Sequence, residues 1–162
     1  MPDLSHSNGN FYSQTVPPTA RRWDATARAL VLDDLGKLLL RVSLGAMLML
    51  HGIAKLTNGV DGIAGMLQQR GLPGALAYAV FIGELLAPLA MILGVWTRPA
   101  ALLAAINMVV AIALAHAGDV FKLGEQGGWA IELQGLFLFA ALAVMLLGGG
   151  RFSVGGLRGR FN

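Results

Sequence analysis

The residues able to do chemistry are ionisable side chains set among long apolar runs: Arg41, His51, Lys55, Glu84, His116 and Glu132. Charge at membrane depth is costly, so each must face a protein interior and a partner there. A histidine binds a carbonyl oxygen and carries protons near neutrality, and a carboxylate relays protons. His51, Glu84 and Glu132 are therefore the candidate catalytic groups. Arg41, His51, Lys55, Glu84 and His116 are the candidate cofactor-binding groups. Paired with one another, the same charges would only hold helices together. His51, His116, Glu84 and Glu132 include acceptable metal ligands, but the histidines lack the close spacing of a metal motif, and no metal site is assigned.

The chain that must position these groups has 162 residues, 56% hydrophobic and 13% charged, with mean hydropathy +0.65. A soluble domain carries roughly a quarter charged residues. The low charge and the long apolar runs give an all-α integral membrane protein, a four-helix bundle with a disordered N-terminal tail. With no cysteine, the chain by itself forms no disulfide, thiolate metal site, iron–sulfur cluster or thiol–disulfide exchange centre. That excludes a self-sufficient disulfide-forming quinone reductase. The net charge of +3 fits basic residues on the cytoplasmic side of a membrane, and no aromatic-interleaved basic surface points to nucleic acid.

The central stretch is Leu35 to Leu56, LGKLLLRVSLGAMLMLHGIAKL, about 22 residues and long enough to cross a bilayer. On a helical wheel Arg41, Gly45, Leu48, Gly52 and Lys55 share one arc, with His51 one step beyond. Residues 1–20 are polar and rich in Pro, Ser and Asn, a disordered tail with no signal-peptide pattern. Residues 21–34 predict an amphipathic segment at the membrane interface with Trp23 at headgroup level, and Asp33 or Asp34 as the next N-cap. The transmembrane domain is 35–154, and 155–162 is a basic tail. Within it the second span is Leu72 to Val95, where Pro88 should loosen the helix four residues after Glu84. The third is Ala100 to Ala117, with Asn107 and His116 on opposite sides, so that at most one faces a shared pocket. The fourth is Trp129 to Leu147.

Four spans put both termini on one side. Nine of the twelve basic residues fall there: Arg21, Arg22, Arg28, Lys37, Arg41, Arg98, Arg151, Arg158 and Arg160. The positive-inside rule makes that side cytoplasmic. His51, Lys55, His116 and Glu132 then belong to the outer half of the membrane, with Glu84 near the middle and Arg41 deeper.

The order Arg41, Gly45, His51-Gly52, Lys55, Gly71-Leu72-Pro73, Gly83-Glu84-Leu85, Gly94, Thr97-Arg98, His116, Glu132-Leu133 and Gly148 to Ser153 resembles the DoxX family of small four-helix membrane proteins. It departs at the end, where Gly149 stands for a common Pro and Val154-Gly155 for an expected Asp. The resemblance implies a four-helix bundle in a bacterial or archaeal cytoplasmic membrane. It also implies a link to quinone-coupled oxidoreduction or to stress-defence enzymes, with a soluble or membrane redox enzyme as partner.

Several functions suit these residues. In a quinone-linked redox subunit, His51 or His116 would bind a ring oxygen, Glu84 and Glu132 would relay protons, and Met47, Met49 and Met91 would form an apolar wall. No redox-cofactor motif is visible, so electrons would come from a partner protein. In a non-catalytic assembly or anchoring subunit, the arginines of the tails would dock a soluble enzyme or anionic lipid, and the buried charges would be structural. A proton-coupled transporter, in an oligomer of the chain, or a haem carrier using His51 and His116 are further possibilities.

Overall fold

The computed structural model describes residues 18–125, 127–156 and 161. The predicted disordered tail lies outside this set except at 18–20, which are helical, and so does most of the basic tail 155–162. The chain divides into two compact units, Met1–Leu32 and Asp33–Asn162, and the candidate site belongs wholly to the second.

The described residues are helical apart from loops and one isolated bridge between Leu123 and Trp129. Helix α1 is Pro18–Asn58, α2 is Asp61–Gln69, α3 is Ala87–Leu93, α4 is Thr97–Ala115 and α5 is Glu132–Leu147. A 3₁₀ turn at Gly74–Ala79 and a π-helical turn at Ile82–Leu86 precede α3 and complete the second span.

Helix α1 runs through Asp33 and Asp34 without the break expected there. Neither aspartate caps a helix. Asp33 pairs with Lys37 one turn on, at 2.5 Å, a spacing that supports a helix. Asp34 turns inward, is 6% exposed, and accepts the Arg151 backbone N–H at 3.1 Å. The separate 21–34 element is thus part of one continuous helix, and the Trp23 side chain lies outside the described residues.

Among the described residues, three segments are long and apolar enough to cross a membrane: Thr26–Asn58, Gly74–Leu93 and Thr97–Ala115. The apolar α5 has 16 residues, about 24 Å of helix against a hydrocarbon core of about 30 Å. It starts later than expected because Trp129 is held in a turn, where its indole N–H donates to the Val120 carbonyl at 2.7 Å.

The core is built from the small-residue face of α4. Ala100, Ala101, Ala104 and Ala105 are buried against Leu44 and Leu48 of α1, Met91 of α3, and Phe137 and Val144 of α5. Side chains this small let backbones approach closely, and van der Waals contact is what drives association in lipid. Leu39, Leu50, Leu136 and Leu146 lie at 70, 68, 61 and 71% exposure, as lipid-facing positions do in a bilayer-spanning chain.

Arginines satisfy two of the helix ends. Helix α3 closes at Gly94, whose left-handed φ of 71° suits glycine, and where an added Cβ would run into Ser153. The carbonyls of Met91 and Ile92 in its last turn each accept from Arg41 Nη1 at 2.6 Å, while Arg41 Nη2 donates to the Phe152 carbonyl. The C-terminal segment is stitched to the same corner by Val154 N–H to Leu93 O and Gly155 N–H to Gly94 O, at 3.1 and 3.0 Å. Arg70 closes α4 by donating to the Leu114 carbonyl at 2.9 Å.

Candidate functional site

The second span is not a regular helix, and Pro88 explains why. Proline has no N–H to give to the carbonyl four residues back, and its ring clashes with that carbonyl. That carbonyl belongs to Glu84. The chain widens into a π-helical turn over Ile82–Leu86, with Glu84 inside it, a device common at functional sites. The loosening expected from Pro88 is therefore present, displaced to the turn before it. The Glu84 carbonyl is pressed against α1: a Cβ at Gly52 would lie 2.5 Å from it and 2.6 Å from Leu85 Cδ2.

This approach delivers the Glu84 side chain, 4% exposed, to two partners. Its Oε2 is paired with Lys55 Nζ of α1. Its Oε1 accepts the Asn107 amide of α4 at 3.2 Å. Three helical segments thus meet on one carboxylate, and neither oxygen is left without a donor. Gly83 makes room for the third, because a Cβ there would collide with Asn107.

Around this cluster is a cavity of about 660 Å³. Its polar lining is His51, Lys55, Glu84, Asn107, His116 and Gln134, and the remainder is apolar or small. His51 stacks edge-on to Phe137 of α5, centroids 5.6 Å apart and rings inclined at 77°. It has no hydrogen-bond partner among the described residues, so its polar ring edge remains available to a ligand. His116 lies just beyond α4. Gln134 Nε2 stands 3.0 Å from its Nε2, and Asp119 Oδ2 lies 3.8 Å from its Nδ1. Outside the membrane-spanning segments, the Asp119 carboxyl is held below its usual range, chiefly by the Lys122 hydrogen bond and charge and then by His116.

Of the sequence candidates, His51, Lys55, Glu84 and His116 line one cavity. Glu132 does not: it is exposed on the first turn of α5, beside Gly128. Gln134, two positions on and so on the other side of the helix, takes the place expected of it. Arg41 does not line the cavity either. It is 1% exposed, and backbone carbonyls occupy it at the far corner, so its role is to join α1, α3 and the C-terminal segment. Met91 is fully buried in the core and Met47 is 46% exposed. The cavity's methionines are instead Met66 and Met108.

Asn107 and His116 both line the cavity, contrary to the wheel argument. His116 has left the helix, with φ −130° and ψ 15°, so helical phase does not govern its direction. The signal for Asn107 was an amide within an otherwise alanine-rich span, facing a segment with a single carboxylate. Among the described residues no three His, Cys, Asp or Glu side chains gather as a metal-ligand set.

A sequence model of the DoxX family covers residues 36–117, from the middle of α1 to just past α4, half of the 162 residues. No curated protein and no solved structure matches the chain. The matched stretch contains Gly52, Lys55, Glu84, Asn107 and His116, which build the carboxylate cluster or line the cavity, and Arg41 at the far corner. This chain is a member of the DoxX family of membrane proteins.

Proposed function

We propose that the chain is the membrane subunit of a quinone-linked oxidoreductase system, held in the cytoplasmic membrane with both termini on the cytoplasmic side. The observation that carries this reading is the cavity itself: about 660 Å³, with walls such as Leu48, Met108 and Phe137, and hydrogen-bonding groups on several helical segments. A quinone needs that combination, an apolar slot for its ring and donors at its oxygens, and the volume is ordinary for a small-molecule site. When bound, a quinone supplies a two-electron acceptor that takes up two protons. The chain's own residues would do the rest. His51 offers a ring nitrogen to one oxygen and handles a proton. Lys55 and Asn107 fix Glu84, so Glu84 positions the donors around it before it accepts any proton. The electrons would come from the redox centre of a partner protein.

The basic-residue count along the sequence supports the orientation. The same reading has the apolar α5 cross the bilayer as the fourth span, a short hydrophobic helix being accommodated by local thinning of the bilayer. Surrounding lipid, and a second copy of the chain in a homo-oligomer, belong to the same reading.

A second reading is favoured by one observation: Glu84 is fully occupied by Lys55 and Asn107, as in a purely structural joint. The chain would then be a non-catalytic anchor for a soluble redox or stress-defence enzyme. Gentle purification followed by absorbance and lipid-extract mass spectrometry separates the two. Co-purifying quinone that disappears in His51→Ala while the protein stays folded supports the redox subunit. A folded protein without quinone that still recruits its partner supports the anchor.

A further inference from the structure

The cavity is open on the side between the second span and α4. Leu103, Ile106 and Val110 follow one another at helical spacing on α4 and line the cavity, yet they are 43, 50 and 47% exposed. Opposite them, Leu76 and Ile82 also line it, at 51 and 46% exposure. All five lie in segments apolar and long enough to cross a bilayer, so the surface they expose faces acyl chains rather than water. On the inner side of this stripe, Asn107 is tied to Glu84 and packs on Gly83.

The irregular winding of the second span creates the opening. Helix α4 packs closely on the π-helical turn and on α3, but it makes no close backbone approach to the 3₁₀ turn Gly74–Ala79. Two regular helices pack by ridges into grooves along their length. A 3₁₀ turn followed by a π turn breaks that register, leaving a slot above the Glu84–Asn107 contact.

We infer that this slot is a tail groove. The ligand enters sideways from the bilayer, its single isoprenoid or acyl chain lies between Leu76 and Ile82 on one wall and Leu103, Ile106 and Val110 on the other, and its head reaches His51. The site therefore selects a single-chain lipid amphiphile with a hydrogen-bonding head, not a water-soluble metabolite. The identity of the head rests on the quinone reading; the groove does not.

The test uses two photoreactive probes with the same diazirine-bearing alkyl chain, one headed by a benzoquinone and one by a glucoside. Each is applied to the full chain in lipid nanodiscs and mapped by mass spectrometry. Labelling at Leu103, Ile106 and Val110 should exceed that at the lipid-facing Leu39 and Leu50 by about tenfold, a difference expected of a specific site over bulk lipid contact. It should be abolished by excess unlabelled quinone carrying the same chain. Ile106→Trp fills the slot from the lipid side, where added bulk does not disturb the core, and should remove the groove labelling while that at Leu39 and Leu50 persists. Saturable labelling by the glucoside probe as strong as by the quinone probe would keep the groove and overturn the quinone head. Labelling no higher in the groove than at Leu39 and Leu50 with either probe, or unchanged in Ile106→Trp, would overturn the groove.

Discussion

Glu84 grips α1 twice: its backbone carbonyl rests where residue 52 would carry a Cβ, 2.5 Å away, and its carboxylate pairs with Lys55 less than one turn further on. The first contact sets the distance at which the second can form. Gly52→Ala should push the second span from α1 and cost about 1–3 kcal/mol, the usual range for overpacking a filled site. Thermal unfolding in detergent would register the loss, and Gly62→Ala on α2, where a Cβ meets nothing within 4 Å, serves as the unaffected control.

The Lys55–Glu84 pair should show coupling in a double-mutant cycle. Glu84→Gln leaves a half-buried ammonium without its counter-charge, and Lys55→Met leaves a buried carboxylate with only Asn107. Each single change should destabilise more than its share of the double change, with a coupling of about 1–3 kcal/mol. Denaturation of all four proteins in the same detergent gives the number. Additive effects would mean that the pair is not formed.

Arg41→Met should leave the cavity intact and release the C-terminal segment. Three carbonyls, those of Met91, Ile92 and Phe152, lose a charged donor. Hydrogen bonds to charged groups contribute about 1.5–3 kcal/mol each. Hydrogen exchange should show faster amides at Val154 and Gly155, which donate to Leu93 and Gly94, while the Lys55, Glu84 and Asn107 region keeps its protection.

The pH response of the α4–α5 loop has a definite sign. The Asp119 carboxyl is held below the ordinary 3.8, first by the Lys122 hydrogen bond. A lowered carboxylate pKa contributes stability that is present above the ordinary value and lost as pH falls through the folded one. The loop should therefore keep its structure at pH 5 and loosen only in strong acid. Lys122→Ala should raise the Asp119 pKa, which carboxyl-carbon NMR titration would report. No change would mean that the Lys122 contact is absent in solution.

Much of this architecture is legible in the residues. The stripe from Arg41 to Lys55 on α1 faces inward as its spacing dictates, because a long apolar helix fixes phase by itself. Pro88 announced a disturbance, although not that it would become a π turn around Glu84. Other features were hidden for specific reasons. Both terminal nitrogens of Arg41 donate to backbone carbonyls, and no sequence pattern marks which carbonyls a fold brings within its reach. His116 lies past a helix end, where wheel arguments stop. Glu132 and Gln134 are two positions apart, so a shift in where α5 starts decides which one faces inward, and that start depends on the long-range hold on Trp129 by Val120. Asp34 reads as a cap locally and is claimed instead by Arg151, distant in sequence.

The central claim is that the cavity binds a quinone through His51 and the Glu84 cluster. Its most direct test is calorimetric titration of the purified full chain with a decyl-tailed benzoquinone, beside His51→Ala and Glu84→Gln. The expected result is saturable binding near one per chain, weakened about tenfold or more in each variant, with His51→Ala unfolding at the wild-type temperature. Non-saturable partitioning alike in all three proteins would contradict the claim and leave the Lys55–Glu84–Asn107 cluster a structural joint.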